Sequence, residues 1–231
     1  MKNVSLFLIA FVMNSMMLGS CGGSSPKEKS TPKEKGATKE KGATKKVTIG
    51  KQVWMAENLN VDTFLNGEPI PEAKTAEEWK NAGENKQPAW CYYDNDLANG
   101  DKFGKLYNWY AVADARGLCP AGWHVPSDDE WTVVINALGG ASIAGNKMKS
   151  ISGWKLNGNG TNSSGFSGLP GGYRHVKGEF LFIGESGPLW SSTEYDTYLA
   201  WSSGLYYHNG SPSLMSTINK RSGFSVRCLR D

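Results

Sequence analysis

Residues 22–46 contain no Val, Leu, Ile, Met or aromatic residue, and this absence most constrains where the chain can fold. After Gly-Gly-Ser-Ser, a hexapeptide rich in Lys and Glu occurs in three consecutive versions over 26–43. A segment without large apolar side chains cannot bury enough surface to offset the entropy lost on ordering. We therefore expect a disordered linker over 21–46 and one folded domain over 47–231, the region that contains all nine Trp residues.

The first 20 residues have the order of a secretory signal peptide. Lys2 precedes an apolar run over 4–13, which is too short for a bilayer span of about 20 residues. The run leads into Leu18-Gly19-Ser20-Cys21, which resembles the bacterial lipobox. That resemblance implies a lipid anchor on Cys21; the alternative is an ordinary signal peptide with a chance cysteine. Because Gly22 is not the Asp that often marks inner-membrane retention, we expect an outer membrane lipoprotein, with its surface or periplasmic face left open.

Charge separates the two parts of the chain. Residues 22–46 carry eight Lys and three Glu, whereas residues 47–231 carry 16 basic and 19 acidic side chains. The linker is interpreted as a spacer, and the alternative is a basic arm that grips anionic lipid or glycan. Because the folded part has a net negative charge, nucleic acid is not an expected partner.

Local patterns predict a hairpin and several helices. The alternation over 47–55 around a Gly-Lys turn predicts an opening hairpin. Thr75 and Glu78 form a capping box ahead of a short helix, and a further helix is predicted over 106–115. The clearest signal is at Ser127, which with Glu130 forms a second capping box before apolar residues at helical spacing, ended by Gly139-Gly140.

Strand patterns dominate the rest of the chain, which is rich in Gly, Ser and Asn. Short strands are predicted over 179–183, 189–192, 199–208 and 224–229. Helices followed by many short strands indicate an α+β domain with long loops.

Five blocks of the sequence carry a family resemblance. They lie, in order, at 108–111 (Asn-Trp-Tyr-Ala), 119–131 (from Cys-Pro-Ala-Gly-Trp-His), 169–174 (Leu-Pro-Gly-Gly-Tyr-Arg), 189–194 (Leu-Trp-Ser-Ser-Thr-Glu) and 223–231 (ending Arg-Cys-Leu-Arg-Asp). Together they resemble the Fibrobacter succinogenes major paralogous domain. That family is similar to the C-type-lectin fold, which formylglycine-generating enzymes also use. The resemblance implies a C-type-lectin-like domain of two short helices, a twisted antiparallel sheet and long loops; it implies no activity, because the family has no generally accepted one.

The cysteines allow one disulfide in the folded domain. If Cys21 is lipidated, Cys91, Cys119 and Cys228 remain, so one thiol stays free. The resemblance implies a disulfide between Cys119 and Cys228, which would join the first-helix region to the last strand. A pairing of Cys91 with Cys228 is the alternative that stays open.

Motifs for catalysis are weak in this sequence. The chain has no Cys-x-x-Cys, its three His residues are scattered, and Gly-x-Ser-x-Gly does not occur. The cysteine pair of formylglycine-generating enzymes has no marked equivalent. We therefore expect no catalytic residues and no enzyme activity.

One acidic segment is a candidate calcium site. Asp94, Asp96, Asn99 and Asp101 surround a Gly turn, and clustered oxygen ligands are what Ca²⁺ requires. The spacing is not that of an EF-hand, and turns rich in Asp and Asn are common without metal. Calcium is the one cofactor that the sequence makes conceivable, and no other is expected.

An aromatic segment is the candidate ligand site. Trp190 and Trp201 are expected in the core, because strand residues that share a face pack together. The candidate ligand-binding residues, whose rings suit sugar faces and whose polar groups suit hydroxyls, are Tyr195, Tyr206, Tyr207, His208 and Asn209. His124 is interpreted as a structural histidine.

These patterns predict a non-catalytic binding module, anchored by lipid in the cell envelope, that recognises polysaccharide or a protein. The alternative is a structural or assembly lipoprotein of the outer membrane, and a formylglycine-generating type of enzyme is the third hypothesis. The expected partners are the membrane, through the anchor, and a polysaccharide or an envelope protein. A fold alone does not establish function.

Overall fold

The predicted opening hairpin is present. The computed structural model describes residues 44–208 and 215–231, all within one compact unit. Strands β1 (Lys46–Ile49) and β2 (Gln52–Met55) pair antiparallel, with Val47 opposite Trp54. Gly50 in the connecting turn has a φ of 60°, a conformation that favours glycine. The predicted signal peptide over 1–20 and the predicted linker up to residue 43 lie outside the described residues.

The end of the chain closes the sheet that the hairpin starts. Strand β11 (Leu229–Arg230) lies between β2 and β5 (Trp123–His124), so the order is β1-β2-β11-β5. Both neighbours of β11 run antiparallel to it. Of the strand predicted over 224–229, only Leu229 belongs to β11, whereas Phe224 and Ser225 make isolated bridges with Tyr107 and Leu189.

A second sheet carries the candidate ligand segment. Strands β8 (Ser186–Glu194), β9 (Leu199–Tyr206) and β10 (Ser216–Asn219) pair antiparallel in the order β10-β9-β8. The register of β8 against β9 shifts between Trp190 and Glu194. Two further two-stranded antiparallel sheets complete the described strands: β3 (Trp90–Cys91) with β4 (Leu106–Tyr107), and β6 (Tyr173–Arg174) with β7 (Phe180–Leu181).

Both predicted capping boxes form. Thr75 and Glu78 cap α1 (Ala76–Glu84), and Ser127 and Glu130 cap α4 (Asp128–Ala137). Gly139 and Gly140 follow α4 with positive φ, which ends the helix.

The helix predicted over 106–115 is much shorter than expected. Leu106 and Tyr107 are extended because they pair with Cys91 and Trp90, and α3 spans only Trp109–Val112. Its start is set by Asn108, whose Oδ1 accepts from the Ala111 N–H at 3.1 Å.

The sequence patterns also missed two helices. They are α2 (Leu97–Phe103), which follows a 3₁₀ turn over Tyr93–Asn95, and α5 (Ala141–Met148). The described residues thus hold five α-helices, where the sequence patterns predicted three and the family resemblance implied two. The broader prediction of an α+β domain is confirmed, but within the described residues the strands form four small sheets rather than one twisted antiparallel sheet. None of the described helices is long and apolar enough to cross a membrane.

Tryptophan side chains lie at the centre of the core. Trp90, Trp109 and Trp190 lie in one buried cluster, as expected for Trp190, and Trp54 packs on Trp131 with ring centroids 4.6 Å apart in another. Trp201, also expected in the core, is only partly buried.

The disulfide between Cys119 and Cys228 is confirmed, with Cα atoms 6.1 Å apart. It joins the loop after α3 to the residue just before β11, the strand that closes the first sheet. The alternative pairing of Cys91 with Cys228 is therefore wrong, and Cys91 is a buried free thiol.

Candidate functional site

Part of the predicted aromatic segment lines a concave site, which we call the aromatic cleft. Its volume is about 400 Å³. Such a volume lies within the range of small-molecule sites. Tyr206 and His208 contribute from β9 and the residues after it. The β6–β7 region contributes two more rings, Tyr173 and Phe182.

Strand β9 forms the floor of the cleft. Side chains alternate between the faces of a strand, so Ser202, Gly204 and Tyr206 share one face. A Cβ atom at position 204 would lie 2.8 Å from the Tyr206 ring. The absence of a side chain at Gly204 therefore leaves space for the Tyr206 ring, which lies over its own strand. The opposite face of β9 sends Leu205 into the core.

The β6–β7 region forms one wall. Tyr173 stacks on Phe182 with centroids 5.8 Å apart and meets Phe224 edge to face at 5.5 Å. Phe182 has a φ of 62° and remains 51% exposed. A large aromatic residue in this backbone region is strained, and such strain often marks binding sites. The carbonyl of Phe182 accepts from the N–H groups of Glu185 and Ser186, both at 3.0 Å, which holds the turn in place.

Polar groups are interspersed among the rings. Ser202 donates to the carbonyl of Ser216 at 3.1 Å, and the carboxylate of Glu185 accepts from Lys155 at 2.9 Å. Burial raises the pKa of Tyr173, and its neighbour Tyr206 adds to that shift. The Tyr173 phenol therefore stays protonated at neutral pH, able both to donate and to accept hydrogen bonds. The cleft combines ring faces with hydroxyl groups, a chemistry suited to sugars.

The predicted ligand residues divide into three groups. Tyr206, Tyr207 and His208 line the aromatic cleft, and the His208 ring stacks on Tyr206 at 5.9 Å. Tyr195 does not line it: its side chain is 56% exposed and packs edge to face on Trp201. Asn209 lies outside the described residues.

The sequence patterns missed the rings supplied by other segments. Tyr173, Phe182 and Phe224 reach the cleft from the β6–β7 region and from the approach to β11. Long-range pairing, including β6 with β7 and the bridge from Phe224 to Tyr107, brings them there. No local spacing in the sequence carries that information.

The acidic segment helps to form α2, one of the two helices that the sequence patterns missed. Asp96 caps α2 by accepting from the Ala98 N–H at 2.9 Å, and Asn99 donates to the Tyr93 carbonyl at 3.1 Å. Asp94 lies in the 3₁₀ turn with a φ of 54°, and Asp101 lies within α2. In the part of the chain that the structure describes, no group of three or more His, Cys, Asp and Glu side chains is placed to hold a metal. Helix capping and a turn contact thus account for Asp96 and Asn99.

The free thiol of Cys91 is buried away from solvent. Burial raises the pKa of the Cys91 thiol to about 12, although Arg174 beside it acts in the opposite direction. A thiol at that pKa is almost entirely protonated at neutral pH, so its nucleophilicity is low.

His124 is held between carboxylates, as expected of a structural histidine. Its Nδ1 lies 2.6 Å from an Asp231 carboxylate oxygen, and its Nε2 lies 3.0 Å from one of Glu130. Since Glu130 is also the capping residue of α4, the ring ties the C-terminus of the chain to the start of that helix.

Comparison with protein families shows which family the chain belongs to. The Fibrobacter succinogenes major domain matches residues 47–230, from β1 to the end of β11. The chain belongs to this family. The resemblance drawn from the five sequence blocks is therefore confirmed. No curated protein and no solved structure matches the chain.

Proposed function

We propose that the protein is a lipid-anchored module of the cell envelope that binds a saccharide in the aromatic cleft without transforming it. The observation that carries this proposal is the cleft itself, in which Tyr173, Phe182 and Tyr206 surround a space of about 400 Å³. Aromatic faces pack against the C–H groups of sugar rings, while the hydroxyl groups of Tyr and Ser match sugar hydroxyls.

A C-type-lectin-like arrangement is part of the proposal. Strand β11 brings the end of the domain beside its opening hairpin, and the disulfide ties this closure to the chain after α3. The long, mostly irregular segment between α5 and β8, which holds the short strands β6 and β7, supplies Tyr173 and Phe182 to the cleft. In this arrangement the closed terminal sheet is the scaffold and the long loops carry recognition.

The location is proposed from the sequence. Residues 1–20 would direct export, Cys21 would carry the lipid, and the Lys/Glu linker would hold the domain away from the outer membrane. A linker of about 25 residues has an average reach of about 25–30 Å.

Binding without catalysis is the simplest use of this chemistry. Cys91 is buried with a raised pKa. The His124 ring faces Asp231 and Glu130 rather than a nucleophile. We therefore assign neither residue to a chemical step.

A glycan array screened with the purified chain, in calcium and in EDTA, tests the proposal. We expect saturable binding to a defined set of glycans and the same binding in EDTA. Loss of binding in EDTA would contradict a site made of rings and hydroxyls. An absence of binding to every glycan would overturn the saccharide proposal and favour the structural alternative, in which the cleft contacts an envelope protein.

A further inference from the structure

A second pocket shares Tyr207 with the aromatic cleft, just after the end of β9, and we call it the amide pocket. It has a volume of about 550 Å³ and lies between α5 and the loop around residue 158. Three asparagines, Asn146, Asn157 and Asn159, contribute to its lining. Gly158 packs against the backbone of Tyr207, because a Cβ there would lie 2.4 Å from the Tyr207 carbonyl oxygen. The loop is therefore held close to the end of β9.

A buried ammonium group reaches this pocket. Lys149 is only 3% exposed, and its Nζ donates to the carbonyl of Tyr206 at 3.1 Å. The same Nζ lies 5.3 Å from the ring centroid of Trp154. An ammonium has three donors, so this one carbonyl leaves two of them for a ligand or water.

The pocket contains positive charge without a matching acid. Lys149 and Lys147 both line it, and no Asp or Glu belongs to its described lining. Burial lowers the pKa of Lys149, with no carboxylate acting against that effect. A buried cation without an acidic partner favours an incoming anionic group.

The amides supply a different kind of contact. Within the described residues, the side-chain amides of Asn146 and Asn157 make no hydrogen bond, while the Asn159 Oδ1 accepts from the Trp154 N–H at 3.0 Å. Each free amide offers both a carbonyl acceptor and N–H donors, which is what a sugar hydroxyl requires. Ile143, 45% exposed at the same pocket, offers an apolar surface for a ring face.

We propose that the amide pocket binds a uronate: an acidic sugar whose carboxylate meets Lys149 and whose hydroxyls meet the three asparagines. The aromatic cleft differs in charge, since Glu185 lies there. Tyr207 contributes to both sites, and Lys149 bonds the carbonyl of Tyr206. This site is separate from the saccharide site proposed above and does not depend on it.

Titration of the purified chain with sodium D-glucuronate and sodium D-galacturonate, followed by amide NMR, tests the proposal. We expect saturable shifts at Asn146, Lys149 and Asn159 with at least one of the two uronates. The methyl esters of the same sugars lack the charge, and we expect them to bind about tenfold more weakly or worse. Sodium acetate and inorganic phosphate distinguish a sugar site from a general anion site.

Variants separate this pocket from its surroundings. Lys149→Met should abolish the preference for the acid over the ester. Because Lys149 is buried, that substitution could also disturb folding, so Asn146→Ala provides a second variant at an exposed helical position. It should weaken uronate binding several-fold and leave the melting temperature unchanged. Asn136→Ala, an exposed helical asparagine outside the pocket, is the matched control and should change neither quantity.

Four results would overturn the proposal. The first is the absence of uronate-induced shifts, the second is equal binding of acid and ester, and the third is equal binding of phosphate and uronate. The fourth is loss of uronate binding in Phe182→Ala, which would place the uronate in the aromatic cleft. Glycan binding that is lost in Phe182→Ala but kept in Asn146→Ala would support the first site alone, so the two proposals can fail separately.

Discussion

At the scale of single residues, the domain buries several cations without pairing them to acids. Arg174 lies between the rings of Trp79 and Phe180, with its guanidinium carbon 4.9 and 4.7 Å from their centroids. It donates to the carbonyls of Ala73 at 2.6 Å, Thr75 at 2.8 Å and Gly178 at 3.1 Å. Ring faces and carbonyl oxygens thus replace a carboxylate partner.

We expect Arg174→Lys to destabilise the domain by about 2–4 kcal/mol. Lys keeps the charge but cannot present three donors in the planar arrangement that these carbonyls require, so at least one buried acceptor loses its partner. Urea unfolding measures the change. Arg230→Lys, on an exposed residue next to the C-terminus, is the control, and an equal loss in both variants would contradict this explanation.

His124 makes stability depend on pH. Burial alone would lower its pKa, but the hydrogen bonds with Asp231 and Glu130 outweigh burial, so the pKa is raised. A raised pKa means that the folded state holds the proton more tightly, and this stabilisation is complete below the unfolded-state pKa and lost as pH rises through the folded-state pKa.

We therefore expect the free energy of unfolding of the wild type, relative to His124→Gln, to fall as pH rises through the titration of the ring. Because the side chain is 38% exposed, solvent screening limits the difference to about 1 kcal/mol or less. Urea unfolding at a series of pH values measures it. A difference that stays constant with pH, or grows towards alkaline pH, would contradict the assigned ion pairs.

At the scale of elements, local chemistry predicted the two helices with capping boxes and the opening hairpin, whereas it missed two other helices and predicted short paired strands poorly. The capping boxes at Thr75 and Ser127 each involve residues three apart, so the pattern is contained in the sequence. The extended conformation of Leu106, in contrast, depends on its pairing with Cys91. Within the cleft, Tyr206 was predictable as one of a run of aromatic residues, whereas Phe182 reaches it only through the tertiary fold.

The geometry of strand β9 makes Gly204 important for binding. We expect Gly204→Ala to weaken glycan binding in the cleft by about tenfold, because the new methyl group would displace the ring of Tyr206. Stability should fall by less than about 2 kcal/mol, since a ring at the rim of a cleft can move. Calorimetric titration with a glycan identified on the array measures the affinity.

Ala200→Gly, which alters the same strand outside the cleft lining, is the control for a general loosening of β9. A weakening of the same size in that variant would contradict the role given to Gly204.

At the scale of the whole molecule, the closure of the chain depends on contacts between distant residues. The disulfide joins residues 109 apart in sequence, and β11 lies between β2 and β5. Composition and strand patterns predicted the α+β class, and the family resemblance implied the disulfide. Neither predicted which short segments pair, because such pairing is decided by the shared core around Trp90, Trp109 and Trp190.

We expect the paired change Cys119→Ser with Cys228→Ser to lower stability by up to about 4–5 kcal/mol. The crosslink restricts a loop of 109 residues in the unfolded chain, and the gain measured for such crosslinks is often smaller than the chain-entropy value. Urea unfolding with and without a reductant measures the change. Cys91→Ala is the control, because this variant keeps the disulfide and its stability should still fall when a reductant is added. A wild-type protein whose stability does not change on reduction would contradict this role for the disulfide.

Binding of a saccharide in the aromatic cleft is tested most directly by one comparison of affinities. The dissociation constant of the tightest glycan from the array is measured for the wild type, for Phe182→Ala and for Tyr198→Ala, whose ring is 72% exposed and outside the cleft lining. Loss of one stacking ring should weaken binding about 5- to 30-fold in Phe182→Ala, and Tyr198→Ala should bind like the wild type. Equal affinities in all three proteins would show that the glycan does not occupy the cleft.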